Sequence, residues 1–200
     1  ALPTAAAEEA EPKPAPRPSR GKLLPRRERL QEIARTRDPE GYAEARTALQ
    51  DPGDALSPLG ALALGQIGGP EAERDLVRAL ADQRPEVRQA ALNALIVLHA
   101  PDAARRCVRL LGSDRSIDVR GAAAEGIGCL RHAEGGAALR NALARDVPPV
   151  QVRAAWSLAR LGEADGFGFL TQQALGQDVH AAPPAIAFLG TLGDRHAVPV

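Results

Sequence analysis

One helical pattern returns every 31 or 32 residues, and that period limits the fold more than any other feature of the chain. Its clearest copies are Val87-Arg88-Gln89-Ala90-Ala91-Leu92-Asn93-Ala94-Leu95-Ile96-Val97-Leu98 and Val119-Arg120-Gly121-Ala122-Ala123-Ala124-Glu125-Gly126-Ile127-Gly128-Cys129-Leu130, offset by 32. The closing apolar residues Ile67, Leu98, Leu130, Leu161 and Leu192 are spaced by 31, 32, 31 and 31. Three positions earlier stand Leu64, Leu95, Ile127, Leu158 and Leu189, and seven earlier the small residues Gly60, Ala91, Ala123, Ala154 and Ala185. These positions form one face of an amphipathic helix. Between the copies runs a second helical pattern, marked by Leu76 and Leu80, Cys107 and Leu111, Leu139 and Leu143, and Leu170 and Leu175. Breakers such as Gly69-Pro70, Pro101, Gly135-Gly136 and Gly162 separate the two. Each unit is therefore a helical hairpin of about 31 residues. Extrapolated backward, the register predicts a hairpin over 39–67 carrying Tyr42, Ala45 and Leu49, and a lone leading helix over 25–36 carrying Leu30 and Ile33.

A single hairpin cannot bury its apolar face, so neighbours must stack. The expected fold is all-α, an α-solenoid of about five stacked hairpins behind a leading helix, over residues 25–200. Composition agrees with close stacking. The chain has three Phe, one Tyr, one Trp and no Met, so its core must come from Leu, Val, Ile and Ala, and small side chains let helices approach closely.

The phrase Val-Arg-x-x-Ala-x-x-x-Leu/Ile-x-x-Leu, with an Asp six residues before the Arg, resembles the HEAT repeat, in the short form associated with bilin lyases. The resemblance covers residues 39–194 and is strongest in the pairs Asp82 with Arg88 and Asp114 with Arg120. It implies a right-handed superhelix in which these Asp and Arg side chains form a structural ladder between repeats, held by charge-assisted hydrogen bonds. Gln151, Ser57 and Ala182 occupy the Arg place in other units, where a weaker ladder is expected. The resemblance also implies that the second helix of each hairpin lines the concave surface. On that helix one position opposite the core stripe reads Leu62, Asn93, Glu125, Trp156 and Ala187. Trp156, flanked by Arg153 and Arg160, is the candidate partner contact, because Trp and Arg dominate such sites; the alternative is a large filler between adjacent helices whose neighbours are Ala and Gly. Asn93 and Glu125 are further candidates.

Chemistry beyond binding has little support in the sequence. Cys107 and Cys129 fall in apolar helical patterns and are expected to be buried. His99 and His132 lie one repeat apart, on the order of 10 Å by helix packing, too far to share a metal whose bonds are near 2 Å. The Gly-rich stretches at 65–69 and 126–128 fall in or at the end of helices, not after a strand, so they suggest packing and capping rather than phosphate binding. No catalytic, cofactor or metal residues are assigned. The expected function is a non-catalytic scaffold or adaptor that binds another protein. The alternative implied by the resemblance is a bilin-lyase-like enzyme or chromophore chaperone.

Charge narrows the partner class. The 25 Lys and Arg equal the 25 Asp and Glu, which leaves no overall cationic surplus for nucleic acid. The balance is uneven: residues 1–37 hold nine cations against five anions. The cluster Lys13, Arg17, Arg20, Lys22, Arg26, Arg27 and Arg29 offers a second alternative, docking of the basic leader 13–29 on nucleic acid or an anionic surface. No apolar run is long enough to cross a membrane. Residues 1–24, rich in Pro and Ala, read as an extended tether. Its opening Ala1-Leu2-Pro3-Thr4-Ala5-Ala6-Ala7 resembles the end of a signal peptide, giving an expectation of export to a bacterial periplasm, with the cytoplasm as the alternative. The closing Asp194-Arg195-His196-Ala197-Val198-Pro199-Val200 reads as the start of a further unit in a longer polypeptide.

Overall fold

The computed structural model describes residues 25–53, 55–176 and 182–193, and over these the regular structure is helix joined by short turns, with no strand. A leading helix α1 (Arg26–Thr36) is followed by five hairpins: α2 (Tyr42–Gln50) with α3 (Ser57–Ile67), α4 (Gly69–Ala79) with α5 (Pro85–Val97), α6 (Ala103–Ser113) with α7 (Ile117–Cys129), α8 (Gly136–Arg145) with α9 (Pro148–Arg160), and α10 (Ala164–Leu175) with α11 (Ala182–Leu192). Short 3-10 turns at Pro39–Gly41 and Ala133–Gly135 lead into α2 and α8.

The repeat is written into the backbone as well as the side chains. Arg37, Gly68, His99, Arg131, Gly162 and Gly193, again 31 or 32 residues apart, have positive φ. Each lies just past α1 or a second helix, where a left-handed residue closes the last turn. Four of these ends carry the matching long bond, from the N–H groups of Asp38, Ala100, His132 and Glu163 to the carbonyls of Ile33, Leu95, Ile127 and Leu158. Helix α1 thus ends as second helices end. It also packs on α3, much as α3 packs on α5, and so serves as the second helix of an incomplete leading unit.

Second helices touch one another down the whole stack, whereas first helices scarcely meet their counterparts. A stack with one layer drawn together and the other spread must curve with the tight layer inside. Small residues set the approach. A Cβ built on Gly65 would lie 2.7 Å from that of Ala94, and one on Gly128 would lie 2.6 Å from Ser157 Oγ. The core between the layers follows the predicted stripe: Ile33, Leu64, Leu95, Ile127 and Leu158 are all fully buried. Each such side chain contributes roughly 1.5–3 kcal/mol. That core is continuous from α1 to α9, and a second cluster of Val152, Ala155, Trp156, Leu170 and Ala185 joins α9 to the last hairpin.

Candidate functional site

The inner layer carries three positions per second helix, the first of them at the edge of the core: Leu59, Leu62 and Gln66 on α3; Ala90, Asn93 and Val97 on α5; Ala122, Glu125 and Cys129 on α7; Arg153, Trp156 and Arg160 on α9; Pro184, Ala187 and Thr191 on α11. The face changes character along the stack. Between α3 and α5 lies a groove of about 230 Å³ lined by Leu62, Gly65, Gln66, Ala90, Asn93, Ala94 and Val97. Leu62 and Val97 stay 46% and 56% exposed at its margins. Asn93, a sequence candidate, is exposed in this apolar half.

The remaining candidates meet on α7 and α9. Arg153 Nε lies 2.9 Å from Glu125 Oε1. Burial pushes the Glu125 carboxyl above its ordinary value, and the Arg153 charge opposes this only in part. Arg153 lies across Gly121, where any Cβ would collide with the guanidinium. Trp156 is only 7% exposed, packed between adjacent helices as a large filler. Helix α11 covers it: the indole N–H donates to Thr191 Oγ1 at 2.9 Å, and the Phe188 ring lies 5.3 Å away. A partner here would meet Arg160, whose guanidinium carbon sits 4.9 Å from the indole centroid and whose Nε donates to the Gly128 carbonyl at 3.3 Å. Cys129 departs from expectation. It is exposed, because its position on α7 belongs to the inner face, whereas Cys107 is buried and its thiol is pushed up to about 12 by desolvation.

The ladder runs between hairpins. Arg88 Nε and Nη2 donate to the two oxygens of Asp114 at 2.8 and 2.7 Å, while Nη1 donates to the carbonyls of Asp82 and Gln83. Arg120 repeats this on Asp146 and on the carbonyls of Asp114 and Arg115. Asp146 escapes the sequence pattern because it stands five, not six, residues before Gln151. The first rung, expected to weaken at Ser57, is made by another route. Arg84 comes from the neighbouring hairpin and grips Asp82 through Nε and Nη2, and its Nη1 donates to the Asp51 and Pro52 carbonyls and to Ser57 Oγ. The three carboxyls are held below the ordinary Asp range. The arginine hydrogen bond is the main cause at Asp82 and Asp146; at Asp114 burial pulls upward but is outweighed by Arg88 and the Ser116 N–H.

A tie between first helices has no signature in the repeat. Buried Asp75 on α4 accepts from the Tyr42 hydroxyl at 2.6 Å and pairs with Arg46 and Arg78. Burial, reinforced by Asp75, raises the Tyr42 phenol to about 12. Of the basic leader, Arg29 pairs with Asp38 and Glu44, while Lys13, Arg17, Arg20 and Lys22 lie outside the described residues. Among the described residues no cluster of three metal-ligating side chains occurs, and no helix is long and apolar enough to cross a membrane.

Inner and outer helix layers, a repeating end-cap and a side-chain ladder define an α-solenoid of helical hairpins. Residues 24–96 match the family model of HEAT repeats. The fold resembles a chain from the complex of CpcE and CpcF of phycocyanin lyase from Nostoc sp. PCC7120, with TM-score 0.66 and 22% identity over 95% of this chain and 82% of that one. At this identity the likeness is one of fold. A designed armadillo repeat protein in complex with the peptide (KR)4 aligns with TM-score 0.49 and 18% identity, over 82% of this chain and 91% of that one. No curated protein matches the chain in sequence.

Proposed function

We propose that the chain is a non-catalytic scaffold or adaptor that binds another protein along its inner, second-helix face. The observation that carries this reading is the state of that face. Most apolar side chains of the second helices are consumed by the core, yet Leu62 and Val97 remain exposed around one groove on the curved inner layer. Exposed apolar groups gathered on a concave surface favour a protein partner, because their burial supplies association energy at about 25 cal/mol per Å². Glu125, Arg153 and Arg160 continue the same face with polar contacts, and Trp156 acts beneath them as the support of Arg160.

The reading is tested by affinity capture from the native source, using the wild-type chain, Val97→Arg on the inner face and Arg105→Glu on the outer face, with quantitative mass spectrometry. A protein recovered by the wild type and by Arg105→Glu, and reduced at least tenfold on Val97→Arg, is the expected result. Recovery lost only on the outer variant would place the binding surface elsewhere.

A further inference from the structure

Resting on the proposed inner-face binding, we infer that the partner presents an extended segment with one large apolar side chain and, five or six residues away, an Asp or Glu. The apolar element follows from the groove. Its margins are Leu62 and Val97, its floor is Gly65, Ala90 and Ala94, and about 230 Å³ admits one large side chain. Leu62 and Val97 are two of the six large apolar side chains left exposed among the described residues, and they are the two that meet in one groove.

The acidic element follows from charge. Of the two inner-face cations on α9, Arg153 is neutralised by Glu125. Among the described residues no carboxylate pairs with Arg160; its contacts are the Gly128 carbonyl and the Trp156 ring. A backbone carbonyl and a ring face fix the guanidinium in place and leave its charge uncompensated, so a carboxylate is the complementary group.

Spacing joins the two elements. Val97 and Arg160 hold equivalent positions on α5 and α9, with α7 between them. Adjacent helices pack about 8–10 Å apart, so the two sites are separated by roughly 16–20 Å. An extended chain advancing about 3.3 Å per residue covers that distance in five or six residues. Such a chain crosses the second helices side by side, passing exposed Cys129 on α7.

The test is selection of a phage-displayed library of random 12-residue peptides on the wild-type chain, on Val97→Arg and on Arg160→Glu, with thermal unfolding used to confirm that each variant is folded. The expected wild-type pool pairs a large apolar residue with Asp or Glu five or six positions away. The Val97→Arg pool loses the apolar preference, and the Arg160→Glu pool exchanges the acidic residue for Lys or Arg, with wild-type-selected peptides binding it at least tenfold more weakly. Peptides that respond to inner-face substitutions but lack the apolar and acidic pairing would overturn this inference and leave inner-face binding standing. A pool indifferent to both substitutions, or no enrichment at all, would count against both.

Discussion

Ser57 sits where the repeat calls for an arginine, and the first rung of the ladder survives because Arg84 approaches the same place from the neighbouring hairpin. The guanidinium binds the same set of partners as in the other rungs, two backbone carbonyls of one hairpin and the carboxylate of the next. The rung is thus defined by its partners and can be supplied from either side. Truncating Arg84 removes several charged hydrogen bonds, each worth about 1.5–3 kcal/mol, so Arg84→Ala should unfold at clearly lower urea concentration. Adding Ser57→Arg to that variant should restore most of the loss by returning a guanidinium to the vacated position; an additive further loss would show that the two routes are not equivalent. Truncating Arg88 leaves Asp114, whose side chain is 5% exposed, without its partner, and should cost about 3 kcal/mol. Motif spacing made Arg88 and Arg120 legible in the sequence. It concealed Arg84, which stands outside the motif, and Asp146, displaced by a loop one residue shorter.

At the scale of the helices, periodicity located every hairpin and the leading helix, because each core position must recur once per unit for the layers to stack. The closeness of the second helices was legible only as an abundance of Ala and Gly. The structure assigns that closeness to particular pairs, and the assignment has opposite consequences at two glycines. At Gly128 an added methyl would meet Ser157 Oγ at 2.6 Å and its Cα at 2.8 Å, so Gly128→Ala must push α7 from α9. Overpacking of this kind costs about 1–3 kcal/mol. Gly112, inside α6, has nothing within 4 Å of its missing Cβ. Gly112→Ala should therefore stabilise by up to about 1 kcal/mol through helix propensity. Thermal unfolding of the two variants should move the midpoint in opposite directions, and a shared direction would contradict the assigned packing. Trp156 shows where helix-level reading stops: position alone places it on the inner face, but the contacts that bury it come from Phe188 and Thr191 on a helix one unit later.

Over the whole molecule, the ladder makes stacking sensitive to acid. Asp82, Asp114 and Asp146 titrate lower in the folded chain than an unfolded Asp, which titrates near about 3.9. Their contribution is therefore complete above the unfolded value and is lost as pH falls through it toward the folded values. Glu125 runs the other way. Its folded carboxyl titrates above the free value, so its contribution is complete at low pH and is lost as pH rises through the folded value. Through the three Asp carboxylates the unfolding temperature should fall as pH drops from about 5 to 3, and by less in Asp114→Asn. An equal fall in that variant would remove the ladder as the source.

The inner face supplies its own reporter. Cys129 is exposed between the apolar groove and Arg160, whereas Cys107 is buried, so a maleimide should label the native chain at Cys129 alone. The most direct measurement is the labelling rate of Cys129 with and without a saturating amount of the captured partner. Binding along the second helices is expected to slow it at least tenfold, with Arg105→Glu behaving as the wild type. An unchanged rate in the saturated complex would mean that the partner does not lie on the inner face.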